Sequence, residues 1–505
     1  MLIRGRIALT WEDGLNALVA EGIEAIVFRT VGDQCSLWES VLPEEVLRLP
    51  DELARVDAML DDPAFFAPFV PFFDPRIGRP STPMETYLRL MFLKFRYRLG
   101  YESLCREVAD SITWRRFCRI PLDGLVPHPT TLMKLTTRCG LAAVDGLNET
   151  LLAKAVQAKL LRTNRIRVDT TVVAANVAYP TDSGLLARAI RRIAVTDKRI
   201  QAAGGAVRTR VRDRSRAAGR RAHEIAAKLR TRSAAGRQDT QATVRRVTRQ
   251  LAELAATAVA DAEPLLANAK RALRRAQAKA DELRKRGVHD AAAGRRRGRL
   301  ARAVNELTDL LDATRQIVSQ TRRRVAGHTP DGATRRVSLH DGDARPIAKG
   351  RLGRPVEFGH KAQVVDNDDG IVLDHSVEQG NPPDAPQLAP AVTRVKKRAG
   401  RVPGTVTADR GYGEAKVDQQ LSDLGVKNVV IPRRGKPSQA RRAEEHRKAF
   451  RRIVKWRTGS EGRISHLKRG YGWDRSRIDT TEGTRIWTGH GVLAHNLVKI
   501  SALAA

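Results

Sequence analysis

A single acid, Glu461, stands in a basic stretch among Arg452, Lys455, Arg457, Arg463, Lys468 and Arg469. A carboxylate kept in such surroundings suits a metal ligand whose neighbouring cations hold phosphates, provided further carboxylates join it. Two upstream aspartates qualify. Asp169 lies inside Arg165-Ile-Arg-Val-Asp-Thr-Thr-Val-Val173, and Asp409 follows Val402 to Ala408 and opens Asp409-Arg-Gly-Tyr412. Three carboxylates can hold two Mg²⁺ ions about 4 Å apart, one lowering the pKa of a water or 3′-hydroxyl and the other steadying the leaving oxygen. In-line phosphoryl transfer of this kind takes hard oxygen ligands, and the chain shows little clustered Cys or His.

Each acid also has a plainer reading on its own. Asp169 on an apolar strand reads as a buried, hydrogen-bonded carboxylate, and Asp409 before Arg-Gly-Tyr reads as a turn residue. Glu461 reads as an ion-pair partner of Arg457, worth about 0.3–0.5 kcal/mol on an exposed helix. On one continuous helix Arg457, Glu461 and Lys468 would share a face, presenting cation and carboxylate together. Asp366, Asp368 and Asp369 read as an exposed hairpin turn, with Asp374 and Glu378 as weaker candidates. His360 and His375 read as strand-face residues, and Trp473 and Trp487 as core.

These residues need elements to position them. The run 165–173 reads as a central strand. Residues 356–365 and 371–377 flank Asn367-Asp-Asp-Gly370, a hairpin signal. Pro382-Pro-Asp384 is expected to cap a helix from Ala385. A strand over 402–408, a helix over 414–423, a strand over 427–432 and a basic helical remainder follow. That order predicts a mixed sheet with helices on its faces, in the ribonuclease H-like arrangement, with the first and fourth strands side by side at its centre.

Upstream, residues 1–160 read as a helical, DNA-binding N-terminal domain. Pro83 opens one helix with Ser81 or Thr82 as its cap, Tyr101 begins a second and Pro129 a third. Short basic helices suit a helix-turn-helix-like reader or a plain bundle. Residues 191–340 change character, with 37 Lys+Arg against 14 Asp+Glu and no aromatics. Val244, Val247, Leu251, Leu254 and Ala258 step by three and four, as do Leu300, Val304, Leu307, Leu311, Thr314 and Val318. The expectation is an antiparallel hairpin or small coiled coil over 186–340, turning at Gly287–Asp290 and Ala292–Gly294, inserted into a catalytic domain of 161–185 and 341–505. Its charge suits a phosphate-binding arm or a solvated face.

The bulk numbers set the partner class. Among 505 residues, 91 Lys+Arg against 56 Asp+Glu leave a formal charge of +35, which calls for an anionic partner, nucleic acid first. An apolar content of 42% argues for a globular enzyme rather than a ribosomal or membrane-surface protein. Cys35, Cys105, Cys118 and Cys139 form no CxxC pair and read as reduced core thiols. Trp11, Glu12 and Asp13 interrupt the first apolar stretch, and no apolar run is long enough for a membrane span, so a cytoplasmic location is expected.

Val-Asp169-Thr-Thr, Ala-Asp409-Arg-Gly-Tyr and Arg457-x3-Glu461-x6-Lys468 together resemble the DDE insertion-sequence transposases of the IS-four/IS-five superfamily. The helical insert and Val177-Ala-Tyr-Pro-Thr-Asp-Ser183 are similar to its ISNCY-like members. The family's last motif begins with a Tyr, where this chain has Val454. The resemblance implies a catalytic, metal-binding triad of Asp169, Asp409 and Glu461 with Mg²⁺, for which Mn²⁺ substitutes. Arg457, Lys468 and Arg410 would contact DNA. It further implies binding of inverted-repeat ends, cleavage, joining of a 3′-hydroxyl to target DNA, and a homodimer that synapses two ends in the bacterial nucleoid. The residues alone leave open a non-catalytic DNA-binding regulator and a ribonuclease H-type nuclease that cuts without joining.

Overall fold

The computed structural model describes residues 26–30, 41–230, 237–288, 290–351 and 354–504. Cys35 and the stretch around Trp11 fall outside them. Ahead of the main sheet come α1 (Glu44–Leu47), α2 (Asp51–Leu60), α3 (Met84–Arg96), α4 (Tyr101–Asp110), α5 (Ile112–Phe117) and α6 (Pro129–Gln157), and β1 (Ile26–Val27) pairs in parallel with β2 (Arg79–Pro80). Next are β3 (Arg165–Ala174) and four helices, α7 (Asp182–Ala202), α8 (Ser215–Arg230), α9 (Arg237–Lys285) and α10 (Ala291–Val325). The chain then runs through β4 (Arg345–Arg351), β5 (Arg354–Asn367), β6 (Val372–Glu378), α11 (Ala385–Ala399), β7 (Thr405–Ala408), α12 (Ala415–Asp423) and β8 (Asn428–Val430). It closes on α13 (Gln439–His446), α14 (Lys448–Arg457), α15 (Gly459–Gly470) and α16 (Thr480–Ala504).

The result is a mixed α/β architecture. β3 is central because its apolar residues are buried on both faces, with Ile166, Val168, Val172 and Val173 all sealed from solvent. It pairs antiparallel with β5 on one side, Asp169 opposite Val364, and parallel with β7 on the other, Val168 opposite Ala408. β8 continues the sheet beyond β7 in parallel. On the far side of β5, β4 pairs with its first half and β6 with its second. The expected adjacency of the first strand and the Asp409 strand is therefore present. β4 was not foreseen: Arg345-Pro-Ile-Ala-Lys-Gly-Arg351 carries a Pro, a Gly and three cations, a poor strand signature.

The core is continuous across the sheet and the early helices. One apolar cluster joins Leu53, Phe65, Tyr87, Leu104 and Leu147 to Ile166, Val364, Val392 and Leu493. Asn496 ties α16 to the edge of β6, accepting from Val372 N at 2.9 Å and donating to Val372 O at 2.8 Å. Trp473 and Trp487 are buried, as expected, and Cys105, Cys118 and Cys139 are buried and free. α3 is capped otherwise than expected: Pro83 is its N-cap and no side chain bonds there. Burial of Ser81 takes its hydroxyl away from the cap.

The insert has cores of its own. Early α9 (Val247, Leu251) meets late α10 (Ile317, Val318), while late α9 (Leu265, Ala269) meets early α10 (Leu300, Val304). That crossing of early with late is what an antiparallel hairpin requires. The heptad-like seams are satisfied within the chain, with α7 and α8 adding Leu186, Ile190 and Ile225. Ala292–Gly294 lies inside the first turn of α10 and not in the connection, because Asp290 caps that helix by accepting from Ala292 N and Ala293 N. No helix of the described residues is long and apolar enough to cross a membrane.

Candidate active site

Asp169 is one residue past the Val168–Ala408 pairing, and Asp409 one residue past it on the neighbouring strand. Parallel strands therefore place the two carboxylates side by side, Asp169 within β3 and Asp409 just past the end of β7, on backbones about 4.8 Å apart. Asp169 is buried. Its Oδ1 accepts from Thr170 N at 2.8 Å, and its Oδ2 accepts from Ser460 Oγ at 2.9 Å and from Arg457 Nη1 at 3.4 Å. Burial pushes its pKa above the ordinary carboxylate value and the Asp409 charge adds to this, against the bonds from Ser460, Thr170 and Arg457. A second positive charge at this position would relieve both effects. Asp409 is half-buried and caps a short turn through Gly411 N at 2.7 Å, so its turn reading and its placement beside Asp169 hold together.

A cleft of about 580 Å³ opens from this edge, with Thr170, Lys349, Lys361, Asp384, Asp409 and Arg434 on its walls. Asp384 was expected as a helix cap. It makes no capping bond; it pairs with Lys361 Nζ at 2.8 Å, which also donates to Pro382 O at 2.7 Å. Its backbone is already helical (φ −73, ψ −41), which turns the side chain from the helix end toward the cleft. Ser460, Lys361 and Asp384 are site neighbours that sequence reading missed, for only the tertiary fold brings them to Asp169 and Asp409.

The basic segment is placed differently from the continuous helix expected of it. α14 ends at Arg457 and α15 begins at Gly459, with Thr458 between them. Arg457 thus faces Asp169 rather than stacking one turn below Glu461. Glu461 lies in the first turn of α15 and is exposed, next to the Ser460 that docks on Asp169. Lys468 is half-buried on the same helix and Arg410 is exposed after Asp409. The hard carboxylate oxygens of Asp169 and Asp409 fit a divalent cation. Glu461 does not complete that set here: among the described residues no three His, Cys, Asp or Glu side chains converge on one ion position.

Other acids have settled uses. Asp366 is not an exposed turn residue; it is 1% exposed and holds Arg167 and Arg463, because the turn proper begins after β5 ends at Asn367. Asp374 is buried between Arg394 and Arg398. His360 is buried against Asp341 at 3.2 Å, and burial lowers the His375 pKa to about 3, which keeps its imidazole neutral.

Two family models match the chain. Residues 42–138 match a transposase domain (DUF772), and residues 320–497 match a transposase DDE domain. An uncharacterized protein, ORF8 in the nfe locus of Rhizobium meliloti, is 26% identical over 151 residues, covering 28% of this chain and 70% of that protein. No solved structure matches.

Proposed function

Because the chain belongs to the DDE insertion-sequence transposases, we propose that Asp169, Asp409 and Glu461 are its metal-binding triad and that it cuts transposon ends and joins their 3′-hydroxyls to target DNA. We read the sheet as ribonuclease H-like and the chain as an ISNCY-like branch of the IS-four/IS-five superfamily. The carrying observation is the pair of carboxylates on adjacent parallel strands, Asp169 within β3 and Asp409 just past β7, with a basic helix docked on Asp169 through Ser460. Mg²⁺, or Mn²⁺ in its place, would activate a water or 3′-hydroxyl and steady the leaving oxygen.

The chain's own groups do the rest. Thr170 N and Ser460 Oγ hold the Asp169 carboxylate in one orientation. Glu461 is the third member of the set, one residue along α15 from the Ser460 that bonds Asp169. Arg457 exchanges its ion pair with Asp169 for a DNA phosphate, and Lys468 and Arg410 hold neighbouring phosphates. The basic hairpin of α9 and α10 serves as an arm on duplex DNA, and two copies synapse two ends.

The test is to incubate the full chain with DNA flanking its gene and Mg²⁺, and to follow ends and products. Cut ends and joined products are expected. Cutting without joining would favour the nuclease reading, and binding without Mg²⁺-stimulated cutting would favour a regulator; either overturns the proposal.

A further inference from the structure

One buried carboxylate and two arginines join the sheet to the helices that carry Arg457 and Glu461. Arg167, two residues before Asp169 on the same strand face, donates to Asp366 through Nε at 2.9 Å and Nη2 at 2.8 Å. Its third nitrogen, Nη1, reaches across to the Trp456 carbonyl in α14 at 3.1 Å. Arg463, in α15, donates to the same Asp366 at 3.2 Å. The Trp456 ring lies 4.8 Å from the Arg167 guanidinium and 4.9 Å from that of Arg165. Arg165 is itself paired twice with Asp368, at 2.6 and 3.2 Å. Asp366 is 1% and Arg167 8% exposed.

Burying such charges is a poor route to stability, since desolvation offsets much of the attraction. It does dictate geometry, because a planar guanidinium bonded twice to a fixed carboxylate has one position. From these bonds, we infer that Arg167, Asp366 and Arg463 are positioning residues that hold the α14–α15 corner on the sheet, and so set where Arg457 and Glu461 stand relative to Asp169 and Asp409. This rests on the triad reading above.

Two glycines give independent support. Gly459, the first residue of α15, has no room for a side chain, since a Cβ there would collide with Arg167 Nη1. Gly370, in the β5–β6 turn at φ +78, likewise lies against Arg463, and a Cβ there would collide with its Nη2. Arg167 is held on buried Asp366 through two of its nitrogens and Arg463 through its Nε, which limits how far either tip can shift. The first residue of α15 and the β5–β6 turn are both fitted against the clamp at backbone distance.

The experiment uses the full chain with Gly459→Ala and, separately, Arg463→Gln. Neither touches the triad, and Ala is a better helix former than Gly, so without a clamp Gly459→Ala would be harmless. Single-turnover cleavage should fall about a hundredfold in Gly459→Ala, the cost of a displacement near 1 Å. The Mn²⁺ needed for half-maximal rate should rise, while metal-free affinity for end DNA stays the same. In metal-free protein, hydrogen exchange should quicken in 459–470 and not in β3 or β5. Wild-type cleavage and wild-type exchange in both variants would overturn the clamp. General acceleration of exchange with loss of DNA binding would mark a folding role and overturn it equally. If the wild type itself does not cut, the triad reading fails, and exchange in 459–470 still decides the clamp.

Discussion

The sheet region and the helical insert handle charge in opposite ways. Around the sheet, Asp366, Asp374 and Arg167 are buried and each is held by named partners. In the insert the core is Ala, Leu, Val and Ile, and several of its ion pairs, such as Arg315–Glu263 with side chains 47% and 52% exposed, lie in water. The hairpin tip carries Arg284, Lys285, Arg295 and Arg299, all exposed. Charges fixed by partners can aim chemistry. Charges left in solvent can only attract a polyanion. The difference separates charges held in place by partners from charges left in solvent.

The sharpest division lies in chemistry against binding. Asp169→Asn, Asp409→Asn or Glu461→Gln should cut the cleavage rate at least about a thousandfold, roughly 4 kcal/mol of barrier, with DNA binding intact. Retained cleavage in any one of them removes that residue from the triad. A smaller effect is expected in the frame. Asp374→Ala leaves Arg394 and Arg398 beside an empty buried position and should lower stability by about 3 kcal/mol in urea unfolding, whereas Glu263→Ala in the insert should cost under about 1 kcal/mol. Equal costs would erase the distinction drawn between the two regions.

One insert residue breaks the pattern and tests it. Asp197 is 4% exposed and neither carboxylate oxygen has a hydrogen-bond partner. Burial raises its pKa to about 7. The folded insert therefore holds a proton that the unfolded chain releases near pH 4, and the contribution of this group to stability is greatest at low pH and falls as pH rises from about 4 toward about 7. Asp197→Leu should add about 1–3 kcal/mol at pH 8 and flatten that dependence. A pH profile identical to wild type would show the group to be solvated after all. The smallest effect belongs to the tip. Changing Arg284, Lys285, Arg295 and Arg299 to Ala should weaken DNA binding about tenfold and reduce the salt slope by about 0.9 for each phosphate left without its cation, with cleavage at saturating protein unaltered. An unchanged slope would make the tip a solvated face.

Asp169 and Asp409 were legible because strand patterning is local: β-branched residues and alternation mark Val168-Asp-Thr-Thr171 and Thr405–Ala408 without reference to the rest of the chain. The hairpin seams of α9 and α10 were legible for the same reason, as was the burial of Trp473 and Trp487. Asp366 was misread because Asn-Asp-Asp-Gly is strong turn chemistry, and nothing local says that the preceding Asp meets an arginine 199 residues away. The break at Thr458 was hidden because Arg457 to Lys468 has helical composition throughout, while Arg457 is drawn out of line by Asp169, 288 residues upstream.

The sequence by itself thus determined the element types, the anionic partner class and the candidate acids, since periodicity, composition and motif spacing are properties of neighbours along the chain. Only the tertiary structure decided that Ser460 and Arg457 close over Asp169, that Asp366 takes Arg167 and Arg463, and that Asp384 pairs with Lys361 instead of capping its helix. Those outcomes depend on register between distant segments and on which buried charge finds which partner, and both are set by burial of the whole core rather than by any short run of residues.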